Sequence, residues 1–194
     1  MNMSLLAGFL VGLVAALAIF AATRLVSAWL KYRGQMVITC PENQRPAGVS
    51  VDTRHAAASG IARRPDLRLA DCSRWPERAG CGQDCLRQIE AAPEDCRVRN
   101  ILTRWYAGKS CAWCGRAIGE IHTGERKPAL LTPDRLSVEW NDIAAERLEE
   151  TLATALPLCF ACHIANTMVR EHPDLVIDRH RPAVAQASKE SHVS

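Results

Sequence analysis

Two short cysteine turns constrain this chain more than any other feature: Cys111-Ala112-Trp113-Cys114, and Cys159-Phe160-Ala161-Cys162 with His163 directly after it. A Cys-x-x-Cys turn presents two thiolates to one centre. Two such turns close a tetrahedron of sulfur, the arrangement that Zn²⁺ takes in structural sites. The first turn runs on into Gly115, whose freedom in φ lets backbone amides turn toward a thiolate. The second leads into residues that continue as a helix until Pro173.

Composition points the same way. The 194 residues include 9 Cys, and although 48% are hydrophobic only 5% are aromatic, so a single large core is not expected. Beyond its apolar N-terminus the chain is small and Cys-rich, and such domains supplement limited apolar burial with metals or disulfides. An odd number of cysteines fits poorly with complete disulfide pairing. The formal charge of +3, with Arg and Glu interspersed, provides no concentrated basic surface, and no nucleic-acid partner is expected.

Residues 5–23 carry no charged side chain. As a helix they rise about 28 Å, close to the hydrocarbon thickness of a bilayer. No Lys or Arg precedes the run, which favours an uncleaved single-pass anchor over a cleaved signal peptide. Arg24, Lys31 and Arg33 all lie on its C-terminal flank, so the positive-inside rule puts the N-terminus outside and the rest of the chain on the cytoplasmic side of the inner membrane. Trp29 and Tyr32 suit the headgroup level. In a reducing cytosol clustered thiols stay free and read as metal ligands.

Along the chain, residues 36–40 are β-rich, 41–46 are turn-like and 49–51 alternate, which predicts a hairpin with Cys40 at the end of its first strand. Residues 67–69 alternate again and predict a third antiparallel strand that brings Cys72 near Cys40. Cys81 and Cys85 follow in a Gly- and Pro-containing loop that enters a helix near Asp84. Cys40, Cys72, Cys81 and Cys85 thus form a candidate second four-thiolate site, for a second zinc ion or an iron–sulfur cluster, against the alternative of buried apolar thiols. Val98, Ile101, Leu102 and Trp105 fall at helical spacing in one amphipathic helix over residues 93–106, with Cys96 read as core. Residues 121–140 read as loop-rich β structure, residues 142–155 as a helix capped by Asp142 and stopped by Pro157, and residues 175–178 as a short strand. Trp75, Trp105, Trp113 and Trp140 are expected to pack the small cores.

The span 111–167 resembles the treble-clef zinc-knuckle framework of HNH-type nucleases, which carry a Cys-x-x-Cys-Gly knuckle and a later Leu-Cys-x-x-Cys-His before a helix. Leu158, Cys159, Cys162 and His163 match the second motif. The resemblance implies the scaffold. It does not extend to the catalytic Asp-His pair, because the nearest upstream histidine, His122, has no Asp before it. Nuclease activity is therefore not carried over.

Cys159-Phe160-Ala161-Cys162-His163 also spells the c-type haem attachment motif. In that alternative His163 is the proximal ligand, and Met168, His172 or His180 the distal one. Zinc is preferred, because covalent haem attachment belongs to the outer face of the bacterial membrane and because haem would strand Cys111 and Cys114. His163 then hydrogen-bonds a thiolate from outside the ligand set.

These readings combine into an α+β protein. A membrane anchor and interfacial stretch (1–34) precede a Cys-rich β lobe (35–92), a linking helix with a treble-clef-like lobe (93–174) and a disordered tail (175–194). The expected cofactor is one or two Zn²⁺, with haem c or an iron–sulfur cluster as the alternative. The expected role is structural, holding a protein partner at the membrane, with no catalytic residue in evidence.

Overall fold

The computed structural model describes residues 3–61, 63–78, 80–121 and 127–175, with side chains from residue 7 onward. Helices and two small sheets alternate along the chain. Helix α1 (Met3–Tyr32) is much longer than the uncharged run that predicts it. Its first two-thirds turn apolar side chains outward, with Phe9, Val11, Val14 and Ile19 all more than half exposed. Its last turns belong to the folded domain: Ala28 and Tyr32 are buried, and Arg24 donates to the carbonyls of Gly60 (3.1 Å) and Arg63 (3.2 Å). Tyr32 therefore sits in the first core, where the sequence suggested a headgroup position.

Strands β1 (Gln35–Thr39) and β2 (Pro46–Val51) form the predicted hairpin, paired from Gln35↔Ser50 to Thr39↔Pro46. After helix α2 (Thr53–Ser59), whose cap Asp52 accepts the His55 N–H at 3.0 Å, strand β3 (Leu69–Cys72) adds antiparallel to β2. Alternation along β1 and β2 sends Met36, Ile38, Ala47, Val49 and Val51 to one face. There they meet Tyr32, Ala56, Leu67, Leu69 and Ile89 in the first core. Ile89 comes from α3 (Leu86–Ala91), which begins two residues later than the sequence suggested.

The single helix expected over residues 93–106 is two: α4 (Pro93–Cys96) and α5 (Val98–Tyr106). Arg97 between them is extended (φ −71°, ψ 123°) because its backbone bridges Met36 of β1. Cys96 ends α4, buried in the first core as expected. The apolar face of α5 supplies Leu102 and Tyr106 to the second core, with Leu130, Trp140, Ile143 and Leu148. Tyr106 stacks on Trp140 with ring centroids 5.7 Å apart and donates its hydroxyl to the Ala129 carbonyl at 2.6 Å.

The second sheet has the order β5-β4-β6, with β4 (Ala129–Leu131) between β5 (Ser137–Val138) and, after α6 (Leu148–Thr154), β6 (Leu156–Leu158). The helix expected from Asp142 starts later, because residues 140–142 and 145–147 form two separate 3-10 turns. Pro157, expected only to stop a helix, lies within β6, an edge position where its missing N–H costs no ladder bond. The turn at Ala145–Arg147 packs on β1 and β2 and joins the two halves of the domain. Gly48 makes that contact possible: a Cβ there would stand 2.9 Å from the Ala145 Cβ and 2.8 Å from Glu146 Oε2. Helix α7 (Phe160–Glu171) ends before Pro173 as predicted. The strand expected at 175–178 falls outside the described residues except for Leu175, which closes a 3-10 turn.

Candidate metal centre

Cys111 and Cys114 sit on a tight loop closed by a bridge between Ser110 and Ala117. The Cys111 N–H bonds the Arg116 carbonyl at 2.9 Å, and Gly115 takes φ +69°, so the chain can fold back over its own sulfur. Cys159 and Cys162 arrive from the other side. Cys159 follows β6 and caps α7, while Cys162 lies in the first turn of that helix. Two backbone contacts join the knuckles: the Ala112 N–H bonds the Pro157 carbonyl at 2.8 Å, and the Cys159 N–H bonds the Cys111 sulfur at 3.3 Å. Fully buried Leu158 packs with Cys111 and Leu131 beneath them.

The result is a four-sulfur cluster. One Sγ from each of Cys111, Cys114, Cys159 and Cys162 lies within 4.8 Å of the others, and the Cys114 and Cys159 sulfurs are 3.8 Å apart. A tetrahedral ion with Zn–S bonds of about 2.3 Å sets its sulfurs about 3.8 Å apart, so the arrangement fits one ion with little adjustment. Among the described residues no other Cys, His, Asp or Glu group gathers three ligand atoms this closely.

The electrostatics are those of thiols crowded around one point. Burial pushes the Cys111 thiol up, but the N–H groups of Cys114, Cys159 and Trp113 that reach its sulfur outweigh burial and hold it down to about 6. Cys162 is pushed up to about 12 by desolvation and by its thiol neighbours Cys159, Cys114 and Cys111. The amides thus favour the thiolate at Cys111, while crowding by the other thiols favours the protonated form at Cys162.

His163 is buried, and its ring turns away from the sulfurs. Nδ1 lies 2.9 Å from Ser137 Oγ and Nε2 lies 3.3 Å from Glu139 Oε1, both across the sheet at β5 and just after it. Only its backbone N–H touches the knuckle, bonding the Cys159 carbonyl at 2.9 Å. The thiolate contact expected for this ring is replaced by a Ser137–Glu139 clasp, and nothing local in the sequence announces those partners. His122 and His180 lie outside the described residues.

The second candidate set also converges. Cys40, Cys72, Cys81 and Cys85 line one cavity of about 40 Å³, and all four are free thiols. They stand further apart than the first set, since no three of their sulfurs come within 4.8 Å. Arg74, which sequence reasoning missed, lines the same cavity beside Trp75, which was expected only to pack the core, and the position of Arg74 directly after Cys72-Ser73 was the available signal. Arg74 Nη1 donates to Cys40 Sγ at 2.8 Å. Burial raises the Cys40 thiol, but the N–H groups of Glu42 and Asn43 and the Arg74 guanidinium together hold it below its ordinary value. Cys85 is pushed up to about 11 by burial and by its three neighbouring thiols.

No protein family, curated protein or solved structure matches the chain. The functional reading rests on the chemistry of these residues.

Proposed function

We propose that this chain is a membrane-anchored zinc protein whose folded part faces the cytoplasm and serves as a structural, partner-holding module. The observation that carries the proposal is the gathering of four cysteine sulfurs within 4.8 Å. Four thiolates fill all four positions of a tetrahedral Zn²⁺, and a closed site of that kind braces a fold, whereas catalytic zinc keeps a position open for water or substrate. The order of elements around it, a knuckle loop, a small sheet and a knuckle at the start of a helix, supports the treble-clef form.

Anchoring is supported by α1. The stretch Ala7–Tyr32 is long and apolar enough to cross a bilayer. Its outward Phe9, Val11, Val14 and Ile19 are all more than half exposed, and the basic residues at 24, 31 and 33 favour a cytoplasmic domain. Trp113, Leu156, Ile164, Met168 and Val169 are all more than 40% exposed around the centre and offer a protein partner an apolar footing.

Zinc is preferred to haem because both ring nitrogens of His163 already have partners and because Cys111 and Cys114 complete the sulfur set. The deciding experiment is metal analysis of the full chain purified in detergent. Zinc bound at the knuckles and lost in Cys159→Ser supports the proposal. Absence of zinc overturns it, and a haem Soret band would install the cytochrome reading.

A further inference from the structure

The wall of the second cysteine cavity is assembled from four segments: Cys40 directly after β1, Cys72 at the end of β3, Cys81 in the following loop and Cys85 at the entrance to α3. We propose that it holds a cubane-type cluster of iron and inorganic sulfide, ligated by these four thiolates.

Spacing is the first reason. A single zinc ion needs sulfurs about 3.8 Å apart, as the Cys111 set nearly provides. In the Cys40 set no three sulfurs lie within 4.8 Å, yet all four face one cavity. Ligands that line a common space without closing to the spacing of a single ion suit a core with several metal corners, each taking one thiolate.

Volume agrees with spacing. Room for one water is about 10–15 Å³ on the same measure, and this cavity offers about 40 Å³.

The wall carries both signs, but its carboxylates have cationic partners: Glu42 pairs with Arg74 (3.6 Å) and Arg78 (3.4 Å), and Asp84 with Arg87 (3.8 Å), which leaves the buried donors as the unpaired groups. Arg74 Nε and Trp75 Nε1 are buried donors without an acceptor. Arg74 Nη1 already bonds the Cys40 sulfur, and the Glu42 and Asn43 amides reach the same atom. Donors of this kind call for an electron-rich, sulfur-bearing guest. Hydrogen bonds to thiolate and sulfide sulfurs are also among the groups that set the potential of an iron–sulfur cluster. A neutral apolar guest would leave both nitrogens unpaired.

The test is chemical analysis of the full chain, purified in detergent without oxygen. The expected result is about four iron and about four acid-labile sulfide per chain, a brown absorbance and an EPR signal after reduction by dithionite. Cys85→Ala should lose iron and sulfide while zinc at the knuckles remains, and Cys111→Ser should do the reverse. Should Cys85→Ala fail to fold, Arg74→Gln provides a milder variant, expected to keep the iron but shift its reduction potential. Two zinc ions without iron or sulfide would overturn the proposal. So would a cavity that takes up neither iron nor sulfide on anaerobic reconstitution with ferrous iron and sulfide.

Discussion

The backbone N–H of Cys159 donates to the sulfur of Cys111 at 3.3 Å, across 48 residues of sequence. This bond needs no metal. It ties the start of α7 to the first knuckle through the Cys111 sulfur itself. Structural zinc contributes roughly 10–16 kcal/mol to such folds, and removing one thiolate forfeits much of that. Cys111→Ser should therefore weaken zinc binding at least about 100-fold and loosen α7, as read by competition with a chromophoric chelator and by hydrogen exchange. Cys96→Ala, in the first core and outside both sulfur sets, should cost only about 1–2 kcal/mol and leave zinc affinity unchanged.

In the metal-free protein the Cys111 thiol should add stability as pH rises from about 6 to 9. Cys111 is held down to about 6 in the fold, against 9.0 for a free thiol, so between these values the unfolded chain carries a proton that the folded chain has released. Its stabilisation is complete above pH 9 and is lost as pH falls through 6. Cys162, raised to about 12, acts in the opposite sense between 9 and 12, where the folded chain keeps the proton. Thermal melts of chelator-stripped protein under reductant should rise from pH 6 toward 9. A flat profile would show that the amides do not stabilise the Cys111 thiolate.

Gly48→Ala should be destabilising although it adds only a methyl group. The new Cβ would stand 2.9 Å from the Ala145 Cβ, an atom on a packed turn that cannot swing aside as the Glu146 carboxylate can. Overpacking of this kind costs about 1–3 kcal/mol, measurable as a lower denaturant midpoint. The same change at Gly8, where nothing lies within 4 Å, should have no packing cost.

Tyr106→Phe should cost about 1–3 kcal/mol, because the buried hydroxyl satisfies the Ala129 carbonyl at the start of β4. The stacking on Trp140 survives the change, so any loss reports the hydrogen bond itself. Equilibrium unfolding followed by Trp fluorescence measures it.

In cells, a reporter that is active only in the cytoplasm, fused after Ser194, should be active, since Arg24, Lys31 and Arg33 favour retention of that end inside. Activity of a reporter that works only outside the membrane would reverse the topology and reopen the haem reading.

What the sequence disclosed were features governed by short-range rules. Alternation exposed β1 and β2, whereas β3 begins two residues later than the alternating 67–69 stretch and its own burial does not alternate, and the paired Cys-x-x-Cys turns marked the sulfur set. The departures arise where a distant partner overrides local preference. Residues around Arg97 have the pattern of an unbroken helix, and only the bridge to Met36, far back in the chain, opens it. Pro157 reads as a terminator because the strand that makes it an edge residue, β4, lies before α6. Tyr32 reads as interfacial because its burial depends on the sheet that follows it. For the same reason the clasp of Ser137 and Glu139 on His163 had no signature in the motif containing the histidine.

The continuity of α1 with the folded domain has a mechanical consequence. Arg24 is bonded to the carbonyls of Gly60 and Arg63, and two turns later Tyr32 is already core, so no slack chain separates the apolar rod from its head. In the anchored protein the head would have neither swivel nor reach. Tilting the rod would tilt both sulfur centres with it, and a partner would have to come to a fixed height and bearing above the lipid surface.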